Sequence, residues 1–287
     1  MENDLKSAAL EQLVAPLLPL CRHAGEVIRE HYYAPDAADF EAKGDDSPLT
    51  RADLASDAIL QAGLLAIDSN IPVLSEESAP VDLSQRREWQ RYWLVDPLDG
   101  TREFLDRTGE FTINIALIEE HRPVLGVLYL PLEELAYVGI PDVLARCYRV
   151  PDTGPWPWEA LETRQLTAGE PLEVLASPRH KGPRLHATLD WLKQHWGPLT
   201  RKNSGSALKF CQLAAGEGDF YPRFSPCCEW DTAAGQAVLE AAGGALLGLD
   251  GMPLQYNRQD SLYSPDFFGI AQPGAPLWRE FLAHIKP

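Results

Sequence analysis

Tyr92-Trp93-Leu94-Val95-Asp96-Pro97-Leu98-Asp99-Gly100-Thr101 joins an apolar run to a short segment dense in oxygen ligands. The run Tyr92 to Val95 has the length and composition of a buried strand. The six residues that follow it supply two carboxylates, a hydroxyl and main-chain carbonyls beside a proline. Carboxylates this close repel one another unless a cation neutralises them or one takes up a proton. Hard oxygen donors in this number suit Mg²⁺, which keeps several waters and takes its remaining ligands from carboxylates and substrate phosphates. Taken alone, Asp-Pro-x-Asp-Gly is equally a turn sequence. Pro97 holds the residue before it extended, and Gly100 permits a tight exit.

Outward from this strand, Ile71 to Ser75 reads as a second short strand, ending at the acidic pair Glu76-Glu77. Phe111 to Ile118, Val124 to Leu130 and Leu135 to Ile140 read as an antiparallel meander, with a reversal at His121-Arg122-Pro123. Ahead of these strands, Leu10, Leu13, Val14, Leu17 and Leu18 recur at helical spacing between Leu5 and Tyr33, and Pro16 and Pro19 predict a break within that helix. A second amphipathic helix, beginning at Thr50 or Asp53, carries Leu54, Ala58, Leu64 and Leu65. Beyond a Pro, Trp and Gly-rich connection over 151–162, the spacing predicts a strand at Leu172 to Ala176 and helices at Pro183 to His195 and Leu208 to Ala215. A last helix over Thr232 to Ala242 has Asp231 at its N-cap and Gly243-Gly244 at its end. Helices alternating with mostly antiparallel strands predict a layered α/β (α+β) architecture, in an N-terminal half over 1–155 and a C-terminal half over 165–287.

The 287 residues carry 25 Lys and Arg against 42 Asp and Glu, a formal charge of −17. That charge disfavours nucleic acid and anionic membrane surfaces as partners. A small anionic substrate remains compatible, because bound cations and a few basic side chains can invert the field inside one pocket. No apolar run reaches the roughly 18 residues a spanning helix needs, and the acidic N-terminus does not resemble a secretion signal. The expectation is a cytoplasmic protein, with attachment at the inner face of the cell membrane left open and either a monomer or a homodimer allowed. Five cysteines without a C-x-x-C pair argue against a disulfide framework or a structural zinc site. Their reading is reduced thiols, the adjacent Cys227 and Cys228 included.

Two further acidic elements, Glu76-Glu77-Ser78 and Glu229-Trp230-Asp231-Thr232, could meet the Asp96 to Thr101 segment. Each also has an ordinary reading, as a solvated pair before a loop and as a helix cap. Taken with Lys43-Gly44-Asp45-Asp46-Ser47-Pro48-Leu49-Thr50-Arg51-Ala52-Asp53 and Trp230-Asp231-Thr232-Ala233-Ala234-Gly235, the chain resembles the lithium-sensitive, Mg²⁺-dependent phosphatases of the inositol monophosphatase superfamily over roughly residues 10 to 270. Ser177-Pro178-Arg179-His180, Ser204-Gly205-Ser206-Ala207-Leu208-Lys209-Phe210 and Tyr221-Pro222-Arg223-Phe224 resemble the CysQ-type 3'(2'),5'-bisphosphate nucleotidases within it. Cys227-Cys228-Glu229 and Gly154 to Arg164 depart from the pattern, at the rim of the expected pocket.

The resemblance implies a five-layer αβαβα sandwich. It implies that Glu76, Asp96 and the carbonyl of Leu98 hold one metal ion, and that Asp96, Asp99 and Asp231 hold a second. A third ion near Glu76 is left open. Asp53 and Thr101 would orient or deprotonate the attacking water, with Glu76 counted beside them as catalytic. Mg²⁺ in such a site lowers the pKa of water and stabilises the charge of the leaving oxygen. For the substrate, the resemblance implies contacts from Gly100, Thr101, His180, Gly205, Lys209, Arg223 and Asp231. His180 would stack on or hydrogen-bond the base or ribose, Gly205 would allow close approach, and Lys209 would meet the second phosphate. The implied reaction converts adenosine 3',5'-bisphosphate to AMP and phosphate, clearing a by-product of sulfate activation. Two alternatives stay open at this point: the same chemistry on an inositol monophosphate or sugar bisphosphate, and a catalytically silent nucleotide-binding protein.

Overall fold

The computed structural model describes residues 2–35, 40–42, 48–78, 81, 83–177, 179 and 182–285. In chain order the helices are α1 (Glu2–Tyr33), α2 (Arg51–Ile67), α3 (Leu83–Arg86), α4 (Thr101–Leu105), α5 (Pro183–His195), α6 (Leu208–Ala214), α7 (Ala233–Ala241) and α8 (Pro276–Ile285). The strands of the first part are β1 (Glu41–Ala42), β2 (Pro48–Leu49), β3 (Val73–Ser75), β4 (Arg91–Asp99), β5 (Thr112–Glu119), β6 (Arg122–Leu130), β7 (Leu135–Ile140), β8 (Leu144–Arg149) and β9 (Trp158–Ala160). Those that follow are β10 (Leu172–Ala176), β11 (Leu199–Asn203), β12 (Phe220–Arg223), β13 (Ala245–Gly248) and β14 (Phe267–Ile270).

β3 to β9 form one sheet in sequence order, with β3 parallel to β4 and every later pair antiparallel. The second sheet runs β11-β10-β12-β14-β13, in which β14 alone runs antiparallel to the other four strands. The strands carry apolar residues on both faces, as sheets covered on both sides must. In β4, Trp93 and Val95 point into a core with α1 and α2, while Tyr92 and Leu94 point into a core with α6 and α7. That second core also takes Leu175, Tyr221 and Phe267 from the other sheet, whose far face packs Val174, Phe268 and Ile270 against Trp278 and Phe281 of α8. The layers are therefore α1 and α2, the first sheet, α6 and α7, the second sheet, then α5 and α8. This is a five-layer αβαβα order.

Several expectations change. α1 is one continuous helix through Pro16 and Pro19. Its buried stripe is Leu10, Val14, Leu17, Leu18, Cys21, Ala24, Ile28 and Tyr32. Gln12 and Ala15, whose carbonyls lose their N–H partners to the prolines, lie on the exposed side, where water can replace the missing donors. α2 turns a different face inward from the one predicted: Leu54 and Leu65 are exposed, and Asp53, Ser56, Asp57, Leu60 and Leu64 are buried. The hairpin after β5 turns at Glu120-His121, both at positive φ, rather than at 121–123. Residues 158–160, read as part of a connection, pair with β8 as the edge strand β9.

Close packing at one point brings α7 against the first sheet. Gly126 and Gly139 are cross-strand partners in β6 and β7. A Cβ on either would strike the backbone of α7, at Ala234 or at Ala237 and Val238. Only hydrogen atoms at these positions let the helix lie this low, and the segment before it arrives beside β4 as a result. Among the described residues no helix is long and apolar enough to cross a membrane.

Candidate active site

The decisive local feature is a bulge in β4. Asp96 pairs with Asn114 and Asp99 with Thr112, so Pro97 and Leu98 stand opposite the single residue Ile113. Residues three apart on a regular strand point to opposite faces; one inserted residue returns Asp99 to the side of Asp96. The strand thus continues through the motif to Asp99, and the turn comes only at Gly100, at φ 96°. A Cβ on Gly100 would lie 3.0 Å from the Glu110 carbonyl and 3.1 Å from Ser206 Cβ.

Asp231 reaches the same place from the middle helical layer. It ends a 3-10 turn, Glu229–Asp231, and Thr232 rather than Asp231 is the N-cap of α7. The predicted cap is corrected because its Oδ2 accepts instead from the Cys228 N–H at 2.8 Å. The turn is anchored from behind by buried Glu229, whose two oxygens accept the Asn257 N–H at 3.1 and 2.9 Å.

Carboxylate oxygens of Asp96, Asp99 and Asp231 lie within 4.8 Å of one another. Leu98 N–H donates to Asp96 Oδ1 at 3.0 Å; Asp99 Oδ2 accepts from Ala207 N–H at 2.6 Å and from Asn114 Nδ2 at 3.4 Å. Burial pushes all three carboxyls up, and neighbouring acids, Glu76 among them, add to the shift on Asp96 and Asp231. Asp99 rises to about 6 and Asp231 to about 7, while Asp96 is raised well above the carboxylate range. A cluster of hard oxygens that burial and mutual repulsion drive toward protonation is what a divalent cation relieves. The donor set therefore fits Mg²⁺. Glu76 follows β3 in the turn Ser75 to Ser78 and donates its N–H to the Val95 carbonyl at 3.1 Å.

Asp53 sits at the first turn of α2 in a capping box. Its Oδ2 accepts Thr50 N–H at 2.8 Å and Thr50 Oγ1 at 2.5 Å. Its Oδ1 is 3.2 Å from Thr101 Oγ1, which also lies 3.3 Å from the Leu98 carbonyl oxygen. The single Thr101 proton serves one of these acceptors at a time.

The segments beyond the acids are placed unevenly. Lys209 is buried rather than offered to solvent: its Nζ donates to the carbonyls of Ser204 and Ser206 at 3.0 and 2.6 Å and lies 5.1 Å from the Tyr221 ring centre. Burial, with help from Arg223, pushes it down to about 8. It ties the 204–206 loop and lends positive charge to Asp99, rather than reaching out. Gly205 N–H donates to Glu110 Oε2 at 3.0 Å, and a Cβ there would lie 2.7 Å from Glu103 Cγ. Arg223 donates to the carbonyls of Ser225 and Pro226. With Tyr221 it lines both a recess of about 40 Å³ holding Asp99 and Asp231 and a cavity of about 230 Å³ walled by Ser177, Arg179, Arg184 and Phe224. His180, Pro178 and residues 43–47 lie outside the described residues.

Ser56, Asp57 and Ser75, which the sequence reading passed over, are buried next to these groups. Exposed Arg179, from the Ser177 to His180 segment, pairs with Glu103 at 2.8 Å and Asp106 at 2.5 Å beside the cavity it lines. Polar residues at i, i+3 and i+4 on α2 were the available signal. Cys227 and Cys228 are free, and burial raises both thiols, Cys227 to about 12.

The chain is 41% identical over 250 residues to the 3'(2'),5'-bisphosphate nucleotidase CysQ of Salmonella typhimurium, covering 86% of this chain and 95% of that protein. It is 40% identical over 250 residues to the protein of the same name in Escherichia coli K12, with the same coverage. The crystal structure of CysQ from Bacteroides thetaiotaomicron superposes with a TM-score of 0.78 at 36% identity, over 92% of this chain and 98% of that one. Residues 9–277 match the model of the inositol monophosphatase family, and the chain belongs to that family.

Proposed function

We propose that this protein is a Mg²⁺-dependent phosphatase that hydrolyses bisphosphate nucleotides, with adenosine 3',5'-bisphosphate as its preferred substrate and AMP and phosphate as products. The relatives named 3'(2'),5'-bisphosphate nucleotidase support the substrate class. The observation that carries the chemistry is the convergence of Asp96, Asp99 and Asp231 within 4.8 Å, beside the 3.2 Å contact of Thr101 with Asp53.

Asp96, Asp99 and Asp231, with Glu76 and the Leu98 carbonyl, would hold two Mg²⁺ ions. When bound, the ions supply charge neutralisation for the phosphate and a lowered pKa for water. The protein's own groups orient the reaction. Thr101 donates a hydrogen bond to Asp53, which leaves its oxygen lone pairs free to take a proton from the attacking water as its own proton passes to Asp53, and Asp53 afterwards releases that proton to solvent. The water oxygen then bonds to phosphorus as the 3'-ester P–O bond breaks, and the leaving 3' oxygen takes a proton from solvent. Phosphoryl transfer depends on positioning and charge, so no covalent nucleophile is required. Tyr221 and Arg223 border both the acid recess and the 230 Å³ cavity. A substrate with its reacting phosphate at the acids would extend its nucleoside and second phosphate along them.

Side-by-side steady-state kinetics test this reading. The expected result is a kcat/KM for adenosine 3',5'-bisphosphate at least about a hundredfold above that for inositol 1-phosphate, since a missing charged contact costs about 2–3 kcal/mol or more. Equal or higher kcat/KM on inositol 1-phosphate contradicts it.

A further inference from the structure

One face of α2 touches three segments beside the acids: the start of α4, the bulge of β4 and the turn that holds Glu76. Asp53 contacts Thr101 at the start of α4, and Ser56 Oγ donates to the Pro97 carbonyl of β4 at 2.8 Å. One residue further, Asp57 Oδ1 accepts the Ser75 hydroxyl at 2.5 Å, and Asp57 Oδ2 accepts Gln61 Nε2 at 2.6 Å. The same Gln61 amide donates to Ser78 Oγ at 3.3 Å. Ser75 and Ser78 are the two ends of a turn closed by Ser78 N–H on the Ser75 carbonyl at 3.1 Å. Glu76 is the second residue of that turn. Both turn ends are thus gripped by one carboxylate and the amide it orients, while Glu76 itself is joined to β4 through its N–H.

Ser75 is 3% exposed and Asp57 7%, so water does not compete freely for these bonds. Burying an acid in this position costs free energy that packing alone does not require; an apolar residue would fill the helix face at lower cost. What the acid supplies is a fixed direction for the turn.

We propose that Asp57 is a positioning residue for the cation site: through Ser75 and Gln61 it sets the Glu76 turn at the distance from Asp96 that Mg²⁺ binding uses. The inference rests on the reading of Glu76 as a cation ligand. Groups one bond removed from a metal ligand commonly change metal affinity by about 10–100-fold when lost.

Mg²⁺ titrations of the substrate-free protein, read by calorimetry, test the inference on Asp57→Asn, Ser75→Ala, the double variant and Ser75→Thr. The expected result is an Mg²⁺ dissociation constant raised roughly tenfold in each single variant, no further rise in the double variant, and near wild-type affinity in Ser75→Thr, which keeps the hydroxyl. Ser75→Ala removes one oxygen and keeps the fold testable where Asp57→Asn does not. A merely structural role would lower the Tm in chelator without moving the Mg²⁺ constant, and that outcome overturns the inference. Unchanged Mg²⁺ affinity in Glu76→Gln, or no Mg²⁺ binding by the wild-type protein, overturns the site reading and this inference with it.

Discussion

Asp96 is the residue on which the site turns, because it is buried, faces three other acids and accepts one hydrogen bond, from the Leu98 N–H, among the described residues. In the protein without cations its repulsion is relieved by protons. Asp99 and Asp231, raised to about 6 and about 7, share that state. A carboxyl raised by folding keeps its proton at pH values where the unfolded chain, with a pKa near 4, has lost it. Its contribution to stability is therefore full below about pH 4 and is lost as pH rises through about 6 to 7. Cations compete with those protons. The Tm gain on adding Mg²⁺ is expected to be small near pH 5 and several degrees larger near pH 8, read by thermal unfolding with and without chelator. A gain independent of pH contradicts the assigned acids. Asp96→Asn removes one charge from the cluster. It is expected to lower kcat by at least about a thousandfold, which corresponds to roughly 4 kcal/mol of transition-state stabilisation, while the Tm in chelator stays equal or rises. Retained turnover in that variant removes Asp96 from the site.

At the level of elements, geometry makes the site out of ordinary secondary structure. The bulge at Pro97-Leu98 puts two acids of one strand on one face, and the glycine pair in β6 and β7 lets α7 and its leading 3-10 turn approach that face. Gly139→Ala drives a methyl into the α7 backbone. It is expected to destabilise the protein by about 1–3 kcal/mol and to weaken Mg²⁺ binding, because Asp231 moves with the helix; unchanged Tm and Mg²⁺ affinity would show that the sheet and helix have slack there. Much of this was legible. Spacing located the meander, β10 and α5 with their observed bounds or nearly so. The continuous α1 was not, because proline rules describe the lost hydrogen bond and not whether water replaces it on the exposed side. The inward face of α2 was missed for a related reason. Apolar residues were ranked as core, yet this helix exposes Leu54 and Leu65 and buries Asp53, Ser56 and Asp57 to serve its neighbours. Polar burial is decided by partners distant in sequence, and periodicity does not record them.

For the whole molecule, five layers place the acids at the junction of the first sheet with the middle helices, next to the end of the second sheet that bears Tyr221 and Arg223. The overall charge of −17 makes that junction a poor place for an anion until cations occupy it. The order of these layers followed from the resemblance more than from periodicity, since a strand buried on both faces reads as one apolar run and does not say what covers it. The wall of the substrate cavity was the least legible part. Lys209 looked like a phosphate ligand by residue type, and only the folded loop shows its ammonium spent on the Ser204 and Ser206 carbonyls. The proposed function requires Asp96, Asp99 and Asp231 to hold a catalytic cation jointly. Anomalous diffraction from crystals soaked with Mn²⁺ and product tests it directly. A strong anomalous peak is expected about 2.0–2.3 Å from oxygens of all three acids, with a phosphate oxygen completing its shell; a peak that leaves Asp96 uncoordinated, or none within the cluster, would contradict the assignment.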